Sequence, residues 1–138
     1  MIDLEQVRDQ LAEIVAPPPT DPNETIPWFV YPRGFDNLAG WPMVAIGQPT
    51  WRPGPNWCIS AYEWPVAVVV ERPGAAVSFE NGIRALDQLW PVIMERFRQT
   101  RVIEGTAAFH IVRSEFGLFR VQGPDGHPAQ TIILSIEG

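Results

Sequence analysis

Apolar residues recur at helical spacing in two stretches of the chain, and at strand spacing or as unbroken runs in most of the rest. Leu4, Val7, Leu11, Ile14 and Val15 share one helical face opposite charged residues, and Asp3 stands where an N-cap belongs, which predicts a helix over 3–15. Pro17-Pro18-Pro19 ends that helix, and Thr20 to Thr25 reads as a polar, polyproline-like tether that lets it dock at a distance from the first strand. Trp28 to Tyr31 is that short strand, and Phe35 to Gly40 a loop. Two Trp-Pro dipeptides, Trp41-Pro42 and Trp64-Pro65, then each open an apolar run. The first gives a strand over Pro42 to Gly47, with proline at the initial position, where its missing N–H costs least. The second, Pro65 to Glu71, contains Val66, Ala67, Val68, Val69 and Val70 without alternation. Such a run predicts cover on both faces, one by a helix and the other by a second helix or a neighbouring subunit.

Behind a second N-cap at Ser78, the spacing of Ile83, Leu86, Leu89, Trp90, Ile93, Met94 and Phe97 predicts the main helix. Pro91 is expected to kink or divide it near Asp87 to Trp90. The chain then returns to β structure over Phe109 to Arg113, Leu118 to Gln122 and Thr131 to Ile136, with a turn at Pro124-Asp125-Gly126-His127-Pro128. The fold class is therefore α+β: a single, mostly antiparallel sheet packed by an N-terminal helix and a longer, proline-kinked one. All of 1–138 reads as one domain, with the helix in 1–16, the tether in 17–26 and the sheet and main helix in 27–138.

Composition narrows the function classes. With 138 residues, 46% of them hydrophobic and 19% charged, the chain can bury a sizeable core. No apolar run approaches the ~18 residues of a membrane span. Asp3, Glu5, Asp9 and Glu13 stand where a signal peptide would be basic and then apolar. Cys58 is the single cysteine, which fits a reducing cytoplasm, and is expected to act as a small, half-buried hydrophobe. Net charge is −6, and every one of the ten basic residues is arginine, which points to GC-rich coding DNA. The negative sign argues against a nucleic-acid coat. Arg96, Arg98 and Arg101 form a small basic group near a helix C-terminus, where the helix dipole favours cations.

No catalytic set emerges. There is no glycine-rich phosphate loop, no paired Cys or His at metal spacing and no nucleophile elbow, so neither catalysis nor a cofactor is expected. Cys58 with His110, His127 with Asp125, and the carboxylates Glu63, Glu71 and Glu80 each lack a supporting context. The connection 48–63 is more informative, since a long loop in a small domain is often functional. It carries Pro49, Pro53, Gly54 and Pro55 with Trp51, Arg52, Trp57 and Tyr62 between them. Two readings stand side by side: the tryptophans fold back as a lid on the sheet, or they contact another protein chain. Base stacking on a Trp–Arg platform is a third, weakened by the acidic total. The candidate interface residues are Trp51, Arg52, Trp57 and Tyr62, with Val66, Val68 and Val70 from the valine strand.

The order of these elements resembles the tail terminator family of long-tailed bacteriophages, especially those of GC-rich actinobacterial hosts. The likeness runs from the opening helix Met1 to Leu11, through Trp41-Pro42-Met43-Val44-Ala45-Ile46 and the valine strand 66–70, to Leu86-Asp87-Gln88-Leu89-Trp90 and Ile132 to Ile136. It covers nearly the whole chain and rests on order, length and texture. The Pro17–Pro19 break and the six tryptophans have no counterpart in the family pattern. The resemblance implies a structural virion protein at the head-proximal end of the tail. Copies of the chain form a ring, a hexamer in the family, that ends tube polymerisation and joins the head. The implied partners are a second copy, the major tail tube protein and the head–tail connector. The resemblance further implies that DNA passes through the lumen without specific binding and that no membrane is involved. A head–tail connector or tail-completion protein of similar fold is the alternative, and a small-molecule-binding or enzymatic domain is a more distant one.

Overall fold

The computed structural model describes residues 2–34, 40–54, 56–74, 78–121 and 126–138. Its elements are α1 (Leu4–Ile14), β1 (Phe29–Tyr31), β2 (Met43–Ile46), β3 (Thr50–Pro53), β4 (Ser60–Val69), α2 (Phe79–Gln99), β5 (Ala108–Arg120) and β6 (Gly126–Glu137). Both expected N-caps are in place. The Asp3 carboxylate accepts from the Glu5 and Gln6 amides at 3.1 and 3.2 Å, and the Ser78 hydroxyl accepts from the Asn81 amide at 3.1 Å. Each cap satisfies amides that an α-helix leaves without partners.

The sheet runs β1-β2-β4-β6-β5, with β3 also on β4, end to end with β2. Only β1–β2 is parallel. The fold is thus the α+β arrangement that the sequence predicts, but several boundaries differ, each for a physical reason.

Residues 48–63 are not a long loop. Thr50–Pro53 and the start of β4 form a hairpin, and β4 begins at Ser60 instead of Pro65. Pro65 therefore sits in the middle of a central strand, where a missing N–H ought to break the ladder. It does not, because β3 pairs with 60–63 and β2 with 66–69, so Pro65 falls at the gap between them. The Gly47 amide donates to the Pro65 carbonyl at 2.8 Å. A regular antiparallel pair would return a bond to the Gly47 carbonyl. That carbonyl instead accepts from the Trp64 indole Nε1 at 2.8 Å and from Arg8 Nη1 at 3.2 Å.

The two faces of the sheet bury different residues. Val66, Val68 and Val70 join Val44, Ile46, Trp64, Ile132, Leu134 and Ile136 beneath α1 and α2. The helices contribute Val7 and Leu11 from one, and Leu86, Leu89, Ile93 and Phe97 from the other. On the opposite face, Met43, Ala45, Ala67, Val69 and Ala129 are buried against Phe29, Tyr31, Trp41, Phe119 and Val121. The valine run is therefore covered on both sides, but within the chain the second cover is its own flanking residues and not a second helix. Three alanines on that face let large side chains lie close to the sheet.

α2 is not divided at Pro91, which lies on its exposed side near the exposed Asp87. On that side water can take over the carbonyl whose helical donor the proline removes. The hairpin that closes the chain is longer than its apolar runs indicate. β5 is one strand with a register shift between Ile111 and Arg113, so Ser114 to Gly117 continue the ladder. Gly126, His127 and Pro128 already belong to β6, while Asp125 lies outside the described residues, as do residues 35–39 of the loop expected over Phe35 to Gly40.

The tether does not hold α1 at a distance. Trp28 Nε1 donates back to the Val15 carbonyl at 2.8 Å, closing the segment on itself. Arg96 Nη1 donates to the Ile14 carbonyl at 3.2 Å and also to that of Ala16, and its guanidinium stacks 5.1 Å from the Trp28 ring. Arg96 thus caps the end of α1 and not of its own helix, which removes it from the expected basic group. Arg98 remains on the surface, 3.5 Å from Glu95.

Candidate functional site

The hairpin between β3 and β4 is built by local bonds that leave its tryptophans outside the core. The Gly54 amide donates to the Ile59 carbonyl at 3.0 Å, the Ile59 amide to the Asn56 carbonyl at 3.1 Å, and the Cys58 amide to Asn56 Oδ1 at 2.9 Å. A Cβ on Gly54 would stand 2.1 Å from the Ile59 carbonyl oxygen, closer than any real contact allows. Gly54→Ala is therefore expected to shift or open the hairpin end. Amide exchange should quicken at Ile59, with little change in the protection of β6.

Along the strands, Trp51 lies opposite Tyr62, and Tyr62 in turn opposite Ile136. This row starts in the core, where Tyr62 packs half-buried, and runs outward to Trp51, which is 58% exposed. Trp57 at the tip is 95% exposed, and Cys58 beside it is exposed rather than half-buried as expected. Arg52 pairs with Glu63 across the hairpin at 3.0 Å. The lid reading is thereby overturned: neither tryptophan folds back onto the sheet. Replacing both Trp51 and Trp57 with alanine is expected to change unfolding free energy by no more than about 0.5–1 kcal/mol, as at other surface sites. Urea denaturation measures it.

Of the seven candidate interface residues, the structure gathers Trp51, Arg52, Trp57 and Tyr62 on this hairpin and separates the other three. Val66, Val68 and Val70 are buried beneath the helices and offer nothing to a partner of the folded chain. Their unbroken run signals two-sided burial, which is a property of the core. Glu63 belongs to the hairpin through its ion pair with Arg52, a role that only the register reveals.

The remaining polar candidates do not converge. His110 lies opposite Ser135, which lies opposite Glu63, so two strand spacings of about 4.8 Å separate it from β4. Cys58 lies beyond the start of that strand. His127 stacks on Trp41 at a centroid distance of 4.4 Å, with Nδ1 3.2 Å from the Val70 carbonyl. Glu63 is paired with Arg52, Glu80 pairs with Arg84 at 3.1 Å, and Glu71 follows the far end of β4. Among the described residues no three His, Cys, Asp or Glu side chains form a metal-binding group. An open, mainly apolar hollow of about 170 Å³ lies on the second face of the sheet, between Ala45, Pro65, Ala67 and Phe119, with Arg33 and Gln48 at its edge. Hydrogen bonds from Arg33 to Glu5 and then Asp9 hold the guanidinium above its ordinary pKa, so its charge is already spoken for. Neither tryptophan of the hairpin nor His110 lines this hollow.

No protein-family model matches the chain, and no curated protein matches it significantly.

Proposed function

We propose that this chain is a structural subunit that works by docking to other chains, and specifically that it caps the phage tail tube as a ring. The observation that carries the reading is the hairpin: two tryptophans held out in solvent on a framework of local hydrogen bonds, next to an Arg–Glu pair. Tryptophan and arginine dominate binding hot spots, and holding them in place beforehand lowers the entropy lost on docking. The order of elements along the chain supports the finer assignment to the tail terminator class.

A closed ring requires two different surfaces per subunit that complement each other head to tail. The hairpin is one such surface, and it can equally serve the contact with the tube. A net charge of −6 per chain suits a ring through which DNA must pass without being held. The place of action in this reading is the virion, at the head-proximal end of the tail.

The experiment combines the purified chain with a major tail tube protein and measures mass by light scattering and ring formation by electron microscopy. The wild-type chain should bind tube ends and stop their growth. The folded Trp51→Ala/Trp57→Ala variant should lose at least tenfold in affinity, since truncating a hot spot costs ≥ ~2 kcal/mol. Unchanged tube growth in the presence of the wild-type chain would sink the reading.

A further inference from the structure

Among the described residues the sheet has three open edges, and they are not alike. β1 offers three residues between Pro27 and Pro32. β3 offers four, preceded by Pro49 and ending on Pro53. The Gly54 amide bonds toward β4, and backbone groups of alternate residues in an antiparallel strand turn to the same side, so Trp51 and Pro53 present their backbones outward. Proline has no N–H, which leaves β3 one outward donor. Both edges are blunted in the way folded proteins protect themselves against stray pairing.

β5 is different. It is 13 residues long, contains no proline and pairs only with β6 among the described residues. Val112, Phe116 and Leu118 along it are 41%, 52% and 69% exposed. Among its described residues a second copy of the chain offers just one comparably open edge, which is β5 itself. Two identical edges meet in a closed arrangement only as an antiparallel pair about a two-fold axis.

We infer that β5 pairs with β5 of a second copy, antiparallel and centred on Ser114. The charges select that register. A two-fold axis normal to the sheet keeps the faces of both copies aligned, so only residues of the same parity can oppose each other in the regular stretch beyond the bulge. Centring on Arg113 sets arginine against arginine, and centring on Glu115 sets glutamate against glutamate. Centring on Phe116 or Gly117 leaves every charge facing an uncharged residue. With Ser114 at the centre, Arg113 of each copy opposes Glu115 of the other, and opposite charges across a ladder stabilise it where like charges destabilise it. Within one chain these two side chains already lie 3.6 Å apart and are about half exposed. They can therefore reach a partner without leaving water. In the same register the exposed Phe116 faces the bulge at Val112, which is also exposed. Such a pair closes at two copies, so it is independent of the ring reading and describes the free chain, whose open edge it covers.

The test is light scattering on the full-length chain over a concentration series. The wild type should approach twice the 15.5 kDa of one chain. Arg113→Glu alone and Glu115→Arg alone should each stay at the mass of one chain. Mixing the two variants in equal amounts should restore the doubled mass, because the all-acidic edge of one then faces the all-basic edge of the other. As a readout that does not depend on charge, Ser114→Cys in a Cys58→Ser background should form a disulfide-linked dimer on mild oxidation. Directly opposed residues in an antiparallel pair have Cα atoms about 4.5–5.5 Å apart, within disulfide reach. A wild type that stays monomeric at its highest soluble concentration overturns the inference. So does a dimer that survives both charge reversals and gives no crosslink at Ser114.

Discussion

Trp64→Ala is expected to remove about 3–5 kcal/mol of stability, the usual range for truncating a large core aromatic. A domain of this size holds about 5–15 kcal/mol in total, so the variant should be close to unfolding at physiological temperature. Trp64 is fully buried, and its ring carries two separate loads. It fills the core beneath the helices, and its Nε1–H bonds the Gly47 carbonyl opposite Pro65 at 2.8 Å. Trp64→Phe separates the two. It keeps most of the apolar volume and loses the donor, while Arg8 continues to serve the same carbonyl, so about 1 kcal/mol should be lost. Urea titrations of both variants provide the measurement. An alanine variant within about 1 kcal/mol of the wild type would show that Trp64 does not bridge the gap in the ladder.

Arg8→Met is expected to cost about 3 kcal/mol, although methionine nearly matches the aliphatic stem and is a good helix former. Arg8 is 5% exposed, and its guanidinium donates to the Pro32 carbonyl at 3.0 Å, the Gly47 carbonyl at 3.2 Å and Gln48 Oε1 at 3.1 Å while lying over the Trp64 ring. Replacing a buried ion by an apolar side chain is often neutral when its partner goes too. Here the partners are mostly main-chain carbonyls that no single substitution removes, so they remain and lose their donor. Arg8→Lys should recover only part of the loss, since a single ammonium cannot reproduce the spread of the fork. Because Arg8 and Trp64 share Gly47, the combined variant should lose less than the sum of the two single losses, and a double-mutant cycle reads that coupling.

Arg8 also marks where the sequence stops being informative. Helical spacing reports which residues share a face, and it places Val7 and Leu11 in the core correctly. Arg8 follows the same spacing into the charged set with Glu5 and Asp9, yet it is buried. What buries it is a break in the strand ladder some forty residues away, and nothing near position 8 signals that break. Arg96 is the same kind of case, since its place beside Arg98 and Arg101 invites a helix-dipole explanation while its partners are the carbonyls of Ile14, at the end of α1, and Ala16, just beyond it. Pro65 misleads in the opposite direction. Proline normally marks the start of a strand, and it sits inside β4 only because β2 and β3 meet the strand on either side of it.

The proposed surface is half legible in the sequence. Trp51, Arg52, Trp57 and Tyr62 stand out by residue type, but an aromatic residue in a proline-rich segment fits a lid as well as a contact. Only the pairing of Thr50–Pro53 with Ser60–Glu63 rules out the lid. Val66, Val68 and Val70 show the limit of an apolar run, which reports burial and not what does the burying.

The gap opposite Pro65 also has a mechanical side. It divides one flank of β4 into a buried half held by β2 and a half-buried stretch held by β3, and β2 runs into β3 through Gly47 to Pro49. A pull on Trp57 would load the β3–β4 ladder first, and would reach β2 through β4 itself and through that short joint. The short, exposed β3 ladder can therefore yield first under load, while β2 stays seated in the core.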